Sequence, residues 1–421
     1  MEEPLSQPNC RSTPTSSSRE YMTLSDLKVQ SEWGTVELVE AIAEEWRQLC
    51  ADGPCNEPFF RPEWIAAAIR AFGGRQRVLF ITVRNGSRLR GVLPLLEKKG
   101  LSSRIIGTRL RSASLIPRFE FVHDGDSDLA DVVHAAWQHL RILPGWDAIE
   151  LVNVPEGGAA EQLLAVAHED AFPICRHEYA RSPYIDLSEH RPGQDFSRFG
   201  LSSRFRYHLR QGWREMSKRG SLRLRRTEKA DPVTLQHFYR LEQSGWKGKE
   251  GTAIVCRPDL HAFYDAIVHC AEQFGYLSVY FLELDDVIIA AHLAFTYSGR
   301  YYPIKVAYDE RFSQYGPGHL IIGRILEDCI GRGLSRFDCL GEWTDAKAKW
   351  TSHVRPHTTC CIFRNTAAGH ILRAETQLQH SLRKTARTVV AATRSHVARL
   401  KSWRLRHPLR STPANRAQVE K

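Results

Sequence analysis

The chain has 421 residues, of which 42% are hydrophobic and 25% are charged. This balance excludes a disordered or fibrous protein and predicts a globular one with more than one core. The first residues contain neither a basic nor an apolar signal region, and the longest apolar stretch, 287–295, is too short to span a bilayer. We therefore expect no secretion signal and no membrane-spanning helix. The ten cysteines form no CxxC pair, which predicts reduced thiols in a cytoplasm and no metal site.

The positive charge of the chain is concentrated at its C-terminal end. Residues 371–421 contain twelve Lys or Arg and two acidic residues, so their net charge of +10 equals that of the whole chain. The remaining residues contain equal numbers of acidic and basic side chains. The body is therefore not predicted to coat nucleic acid, and the excess charge belongs to an appendage.

The first elements follow from local patterns in chain order. Residues 1–23 are rich in Pro, Ser and Thr, which predicts a disordered segment. Apolar residues recur at helical spacing in 36–49. Asn85-Gly86 lies between two apolar runs and predicts a β-hairpin. The other elements predicted before residue 153 are a helix at 63–72, a strand at 119–123, a helix at 129–140 and a strand at 148–152.

The same order of elements occurs twice along the chain. Arg61-Pro62-Glu63 opens the first copy and Arg257-Pro258-Asp259 opens the second, and each copy continues with a helix, three strands, a helix and a strand. Chance agreement is the alternative, but the shared opening motif favours a duplication. The sequence therefore predicts an α/β fold with mixed sheets (α+β) and two similar units in tandem. The predicted boundaries are 24–172 for the first unit, 173–230 for a linker strand and basic helix, 231–370 for the second unit and 371–421 for a basic amphipathic tail.

A glycine-containing loop precedes an apolar helix in the second copy. The predicted strand 301–308 is followed by Gly316-Pro317-Gly318-His319 and then by the helix. Pro317 suits the first helical position, which leads us to expect free N–H groups at Gly318, His319 and Leu320. Such a helix start can bind a pyrophosphate, although a helix cap without a ligand is an equally simple interpretation.

The corresponding loop of the first copy serves as an internal control. It contains Asp124, Asp126 and Asp128 where the second copy has no carboxylate. These carboxylates are expected to cap the following helix themselves and to repel phosphate. We therefore expect the second unit to bind a polyphosphate cofactor and the first unit to be structural.

Several short motifs occur in order over about residues 30–370. They are Phe59-Phe60-Arg61-Pro62-Glu63-Trp64; Ser182-Pro183-Tyr184-Ile185-Asp186-Leu187; Glu242 with Gly245-Trp246-Lys247-Gly248; Lys305 with Ala307-Tyr308-Asp309; Gly316-Pro317-Gly318; and Phe337-Asp338-Cys339-Leu340-Gly341, then Lys347 and Trp350. In these motifs the chain resembles the GNAT acyltransferase superfamily and, within it, the CelD-like branch named for a cellulose-biosynthesis protein. That branch is similar in architecture to the Fem-type peptidoglycan aminoacyltransferases.

The resemblance implies that acetyl-CoA or another acyl-CoA is the donor, that an amine is the acceptor and that no metal takes part. It implies that the coenzyme pyrophosphate lies on the loop and helix start that match 314–319. At Ala346 the sequence departs from the family, in which this position is often aromatic, and this leaves the acid that protonates the thiolate in doubt. The candidate cofactor-binding residues are Lys305, Gln314, Tyr315, Gly316, Gly318 and His319.

Direct acyl transfer needs a base for the amine and an acid for the thiolate. Glu242 lies at the end of a predicted helix and is a candidate base, with a salt bridge to Lys247 or Arg240 as the structural alternative. His292 lies in an apolar strand and is a second candidate base, with a buried core histidine as the alternative.

Two further charged residues lie in or next to strands near the expected site. Asp338 could orient Lys347 or the acceptor, and a structural ion pair is the alternative. Lys305 could bind a phosphate or pair with Asp338. The candidate catalytic residues are Glu242, His292, Asp338 and Lys347.

A basic stretch between the two copies contains ten Lys or Arg and one acid within 198–226. It could bind the coenzyme 3′-phosphate or an acidic acceptor, or it could follow RNA. The third interpretation is a solvated helix whose charges pair with acids elsewhere in the body.

These patterns and the resemblance together favour a cytoplasmic acyl-CoA-dependent N-acyltransferase. The resemblance implies an amine of a small molecule, a sugar or an envelope or exopolysaccharide precursor as acceptor. The alternatives are a Fem-type transferase supplied by aminoacyl-tRNA and a non-catalytic scaffold of a polysaccharide-synthesis complex.

The tail combines positive charge with an apolar face that includes Leu378, Leu382 and Val389. We expect this face either to lie on the anionic inner surface of a membrane or to pack on the body of the protein.

Overall fold

A computed structural model of the chain describes residues 26–73, 77–98, 106–112, 117–125, 129–193, 199–382 and 385. Its centre is one mixed sheet of thirteen strands that runs through both halves of the protein. The strand order across the sheet is β1-β2-β3-β4-β6-β13-β7-β12-β11-β10-β9-β8, with β5 paired to β3 at the side. The strands are β1 (Leu27–Gly34), β2 (Val78–Asn85), β3 (Arg88–Glu97), β4 (Arg109–Arg111), β5 (Val122–His123), β6 (Ala148–Pro155), β7 (Ile174–Asp186), β8 (Leu222–Thr227), β9 (Leu277–Leu284), β10 (Val287–Tyr297), β11 (Arg300–Tyr308), β12 (Arg336–Asp338) and β13 (Val354–Phe363).

Helices cover both faces of this sheet. They are α1 (Val36–Ala41), α2 (Ala43–Asp52), α3 (Pro62–Ala68), α4 (Leu129–Ile142), α5 (Ala159–Glu169), α6 (Ser203–Ser217), α7 (Pro232–Ser244), α8 (Trp246–Lys249), α9 (Pro258–Gln273), α10 (Pro317–Gly331) and α11 (Asp345–Ala348). A last helix, α12, covers residues 367–382.

The predicted mixed α/β fold with a repeated element order is confirmed. In the first half β2, β3 and β4 are antiparallel neighbours and β4 pairs in parallel with β6. In the second half β9, β10 and β11 are antiparallel neighbours and β11 pairs in parallel with β12. The first-half strand that corresponds to β11 is therefore β4, and not the predicted strand at 119–123, of which only Val122 and His123 pair with β3.

The final strands of the two halves are exchanged. β7 ends the first half but pairs with β12 of the second. β13 ends the second half but pairs with β6 of the first, and β7 and β13 pair with each other at the centre of the sheet. The two halves therefore share one continuous sheet.

The alternating side chains of the second-half strands form two cores. Val279, Phe281 and Leu293 face α7 and α9, whereas Tyr280 and Leu282 face α6 and α10. This alternation follows from the two-residue period of a strand. Because of it, successive residues of β11 point to opposite faces of the sheet.

The C-terminal helix α12 packs on the body through one apolar residue. Leu372 is fully buried against Phe363 and Cys361, and Arg109 forms an ion pair with Glu375 at 3.2 Å. Leu378 and Leu382 are 61% exposed, so these two predicted contact residues do not dock on the body. The segment 1–23, the residues after 385 and, with them, Val389 lie outside the described residues.

Candidate active site

The gap between β11 and β12 forms a mainly apolar cavity. The two strands pair only at Arg300 with Arg336 and at Tyr301 with Phe337. Beyond these pairs they diverge around a cavity of about 610 Å³, which is lined from both faces of the sheet. Residues 303–308 of β11 line one side, 339–341 line the other, and 316–319 of the α10 start close one end.

The corresponding gap of the first half is closed. β4 and β6 pair at three positions, and the Phe119 N–H donates to Asn153 O at 2.9 Å beyond them. The Val152 N–H donates to Ser112 Oγ at 3.0 Å in the same region. The predicted acidic cap also differs, because Asp124 forms an ion pair with Arg90 on β3 at 2.7 Å. Asp126 and Asp128 lie outside the described residues.

The start of α10 has the conformation that its glycines permit. Gly316 has a φ of 68°, a left-handed conformation that favours glycine, and Pro317 occupies the first turn. The prediction of three free N–H groups needs correction, because His319 N and Leu320 N both donate to Gly316 O, at 2.9 and 3.0 Å. A Cβ at Gly318 would lie 3.5 Å from the Tyr308 ring, in ordinary contact, so the site has room there.

Two histidines line the cavity on its α10 side. His292 is buried, with Nδ1 3.2 Å from the Tyr301 hydroxyl, and burial lowers the pKa of His292 to about 3. Trp350 Nε1 donates to His319 Nδ1 at 3.0 Å, and burial lowers the pKa of His319 to about 4. Both imidazoles are therefore neutral at pH 7.

Two lysines line the cavity on its α9 side. Lys305 pairs with Leu293 across the strands and shares its face, and its Nζ lies 5.1 Å from the centroid of the Tyr264 ring on α9. Lys247 Nζ donates to Glu242 Oε1 at 3.0 Å and to Val306 O at 3.1 Å. Lys305 therefore lies across the sheet from the α10 start rather than beside it, and it does not pair with Asp338 among the described residues.

Glu242 is buried behind Lys247 and does not line the cavity. Its second oxygen accepts from the Ile254 N–H at 2.9 Å. The salt bridge to Lys247 that we considered for this residue is therefore present, and Glu242 reaches the cavity only through Lys247.

Asp338 lies in a buried ion pair that joins the two halves. Arg118 donates to Asp338 at 2.7 Å and to Glu57 at 2.9 Å, and the Leu340 N–H donates to Asp338 at 3.1 Å. Burial raises the pKa of Asp338, but Arg118 with the other donors outweighs burial and lowers the pKa below its usual range. Asp338 does not line the cavity, so the ion-pair interpretation fits its surroundings.

Lys347 lines the cavity from α11. Its Nζ donates to Leu340 O at 2.5 Å and to Glu342 O at 3.1 Å, and burial lowers the pKa of Lys347. Beside it, burial raises the pKa of the Cys339 thiol to about 12. Cys339 is therefore a protonated thiol, whereas Lys347 can give up a proton more readily than an exposed lysine.

A second cavity of about 560 Å³ adjoins the first and shares Ser313, Gly316 and His319 with it. It lies between α6 and the 3₁₀ helix Glu310–Tyr315, and Gln314 and Tyr315 line it. The two helices approach closely because α6 has a glycine at 212, where a Cβ would lie 2.5 Å from Tyr315 O.

The basic stretch divides into paired and unpaired arginines. Arg223 and Arg225 on β8 both bind Glu283, at 2.8 and 2.7 Å. On α6, no carboxylate of the described residues lies within 4.0 Å of three arginines, which are Arg204, Arg206 and Arg210. The structural interpretation therefore holds for β8, whereas Arg206 and Arg210 of α6 line a separate groove between α6 and α10.

Sequence reasoning did not identify Lys247 and Tyr308 as cavity residues. Lys247 was considered only as a partner of Glu242, and its place on the β11 edge depends on the fold. Tyr308 could have been found, because it ends the strand that leads to the Gly316 loop.

Within the described residues no group of three His, Cys, Asp or Glu could hold a metal ion, and none of the helices there is long and apolar enough to cross a bilayer.

Residues 203–348, from α6 to α11, match the acetyltransferase (GNAT) domain family. No curated protein matches the chain. Among solved structures, FemX superposes with a TM-score of 0.53 at 12% identity, over 79% of this chain and 96% of that one, which shows a shared fold. The C-terminal domain of a protein described as a lysylphosphatidylglycerol synthetase from Agrobacterium fabrum gives 0.49 at 14% identity, over 81% and 97%. A tandem GNAT protein from the clavulanic acid biosynthesis pathway gives 0.42 at 12% identity, over 80% and 100%.

Proposed function

We propose that the protein transfers an acyl group directly from acyl-CoA to an amine, and that the amine belongs to a sugar or to an envelope or exopolysaccharide precursor. The observation that carries this proposal is the cavity between β11 and β12, which is lined from both faces of the sheet. A donor bound on the α10 side and an acceptor bound on the α9 side could meet there without a covalent enzyme intermediate. The placement in the CelD-like branch and the cytoplasmic location are parts of the same proposal.

The α10 side has the features that a coenzyme A donor needs. Gly316, Gly318 and His319 lie where the two cavities join, so a pyrophosphate there would meet a positive helix end. Gln314, Tyr315 and Lys349 line the second cavity, where the Lys349 ammonium could pair with a 3′-phosphate. The apolar part of the first cavity suits a pantetheine arm.

Lys347 is the acid in the proposed reaction. The amine nitrogen attacks the thioester carbonyl, the C–S bond breaks, and the coenzyme thiolate takes a proton from the Lys347 ammonium. The amine loses its proton to water or to a base, for which His292 and Glu242 remain the candidates. His292 lines the cavity, whereas Glu242 acts as the base only through Lys247, which gives one of its own protons to Glu242 and takes the amine proton in its place.

Coenzyme A binding tests the proposal. Gly318→Asp adds a carboxylate where the pyrophosphate is expected, so we expect it to abolish coenzyme A binding in isothermal titration calorimetry. Gly125→Asp is the matched control in the first-half loop, where a Cβ meets nothing closer than 3.5 Å, and it should leave binding intact. Gly318→Ala should bind nearly as well as wild type. Equal loss in both Asp variants, or no binding by the wild type, would refute the assignment.

One observation also favours a second candidate, a transferase supplied by aminoacyl-tRNA. Arg206 and Arg210, which have no carboxylate partner among the described residues, line a separate groove between α6 and α10 and could contact a phosphate backbone. Titration with tRNA distinguishes the two candidates, because the acyl-CoA proposal predicts tight binding of coenzyme A and weak, salt-sensitive binding of tRNA. A non-catalytic scaffold would bind neither specifically.

We also propose that the tail contacts an anionic membrane surface. Leu378 and Leu382 are exposed on α12, and residues 383–421 contain eleven basic residues and one acidic residue. Each Lys or Arg near such a surface contributes about 1 kcal/mol. The full chain should bind phosphatidylglycerol vesicles at low salt in a sedimentation assay, and a chain truncated after Leu382 should not. Equal binding by both would contradict this proposal.

A further inference from the structure

We propose that the acceptor amine also carries an anionic group, a carboxylate or a phosphate, which Lys305 and Lys247 bind on the α9 side of the gap. This inference rests on the proposed acyl transfer and names the chemical class of its acceptor.

Lys305 is a partly buried cation without an acidic partner. No carboxylate of the described residues lies within 4.0 Å of its Nζ, and its recorded contact is the face of the Tyr264 ring at 5.1 Å. The surroundings do not favour its charge, because burial and the nearby Lys247 lower the pKa of Lys305. A buried charge is normally paired, so a ligand is the natural source of its counter-charge.

Lys247 lies on the same side of the cavity and has one N–H group available to a ligand. Two of its three N–H groups are used by Glu242 and Val306 O, and an ammonium has three. Glu242 forms its ion pair with Lys247, and its other oxygen accepts from the Ile254 N–H. Glu242 acts on Lys305 only at longer range and does not outweigh burial and Lys247, so Lys305 has no close counter-charge among the described residues.

The cavity as a whole is positive. Its lining contains three lysines and two histidines but no aspartate or glutamate. Since both histidines are neutral at pH 7, the lysines set the sign of the potential. A neutral amino sugar would leave this charge unpaired, whereas an anionic acceptor would pair with it.

The donor does not account for Lys305. The phosphates of coenzyme A are expected at the α10 start, on the opposite face of the sheet from Lys305. Tyr308 lies nearer to that end, because Gly318 faces the Tyr308 ring. Lys305 is therefore available to the second substrate.

Binding of matched amines tests the inference without requiring turnover. We would titrate the full chain, saturated with coenzyme A, with glucosamine and glucosamine 6-phosphate, and with alaninamide and alanine. Each pair shares an amine and differs in a phosphate or in a carboxylate, so the two pairs separate the sources of the anion. We expect at least one anionic member to bind about tenfold more tightly than its neutral partner.

Variants assign the preference to Lys305. Lys305→Met should abolish the preference and leave coenzyme A binding unchanged, and Lys305→Arg should keep most of it. Lys229→Met, at an exposed lysine before α7, is the matched control and should behave as wild type. Circular dichroism confirms that each variant is folded.

Three results would overturn the inference. The first is that neither anionic amine binds better than its neutral partner, which includes the case in which none of the four binds. The second is that the preference survives in Lys305→Met. The third is that Lys305→Met weakens coenzyme A binding, which would assign Lys305 to the donor. Failure of the proposed function is distinguishable, because the wild type would then not bind coenzyme A at all.

Discussion

Lys347 and Lys305 line the same cavity, but their ammonium groups have different surroundings. Lys347 Nζ is held by two carbonyl oxygens, those of Leu340 and Glu342, whereas Lys305 Nζ faces an aromatic ring. The carbonyls fix the position of the Lys347 ammonium, and burial lowers its pKa. A positioned ammonium with a lowered pKa is suited to proton transfer, and a loosely held one is suited to binding an anion.

Replacement of Lys347 tests its role as the acid. Lys347→Met should lower kcat by about 10²- to 10⁴-fold, while the Kd of coenzyme A changes little, because the proton is needed only when the C–S bond breaks. Lys347→Arg should not restore kcat, since a guanidinium does not release its proton near neutral pH. Steady-state kinetics and calorimetry provide the two readouts. A variant with normal kcat would show that Lys347 only supports the 340–342 turn.

At the scale of elements, the contact of α6 with the 3₁₀ helix at 310–315 shapes the donor site. α6 begins at Ser203 with the Ser202 hydroxyl as its cap, and its glycine at 212 allows the backbone of Tyr315 to come close. This approach brings α6 against the second cavity, which Gly212 lines together with Gln314 and Tyr315. The loop and the cavity therefore depend on one small residue.

Gly212→Ala should separate the two elements. The new Cβ would meet the Tyr315 carbonyl at 2.5 Å, so the helix must move, and we expect coenzyme A affinity to fall about tenfold or more with a lower melting temperature. Gly331→Ala, in a helix and with open space around its Cβ, is the control and should be neutral or slightly stabilising. Calorimetry and thermal denaturation measure both effects. Unchanged binding in Gly212→Ala would show that α6 does not contribute to the donor site.

The elements that the sequence predicted correctly depend on local signals. The Asn85-Gly86 turn, where Gly86 has a φ of 55°, and the Gly316–Pro317 helix start follow from residues that are neighbours in the chain. The strand β4 was missed because it has only three residues, two of them arginines. The more apolar segment 119–123 was assigned instead, and the partners of both segments lie far away in sequence. β1 and β8, the edge strands, were also missed, since their alternation is incomplete.

The candidate site also divides into features that neighbouring residues encode and features that depend on distant residues. The helix start at Pro317 is encoded locally and was predicted, although the hydrogen bonds of the loop at 316–319 were not. Asp338 could not be assigned, because its partner Arg118 is 220 residues away. A carboxylate next to a strand is equally consistent with catalysis and with an ion pair until the fold brings its partner to it.

At the scale of the whole molecule, one buried arginine joins the two halves. Arg118 comes from the first half and is 2% exposed. It binds Glu57 of the same half and Asp338 of the other, and Arg300 of the second half also reaches Glu57, at 3.2 Å. The network therefore crosses the junction between the two halves near the exchanged strands, where Asp338 pairs with Tyr184 of β7.

Arg118→Met should be strongly destabilising. It would leave Glu57 with Arg300 at 3.2 Å and Asp338 with Arg355 at 3.9 Å as their remaining charged partners. Breaking a buried ion pair costs about 3–5 kcal/mol in the free energy of unfolding, measured by urea denaturation at pH 7. Arg257→Met, which removes an exposed ion pair with Asp259, should remain close to wild type. Similar urea midpoints for the two variants would show that the network contributes little.

The effect of Arg118 should depend on pH in a defined direction. The folded pKa of Asp338 is below its usual range. The ion pair of Arg118 with Asp338 therefore stabilises the protein fully above the unfolded pKa of about 3.9. This stabilisation is lost as the pH falls through the folded pKa. The difference in stability between wild type and Arg118→Met should therefore narrow below about pH 4. A difference that stays constant down to pH 3 would contradict the assignment.

The exchange of β7 and β13 has a consequence for how the chain is made. During synthesis the first half leaves the ribosome before the second, but the neighbour of β6 in the finished sheet is β13, which is among the last elements to appear. Until then β6 and β7 expose unpaired backbone edges, and such edges attract other strands. The N-terminal half therefore cannot complete its part of the sheet until β13 has been synthesised.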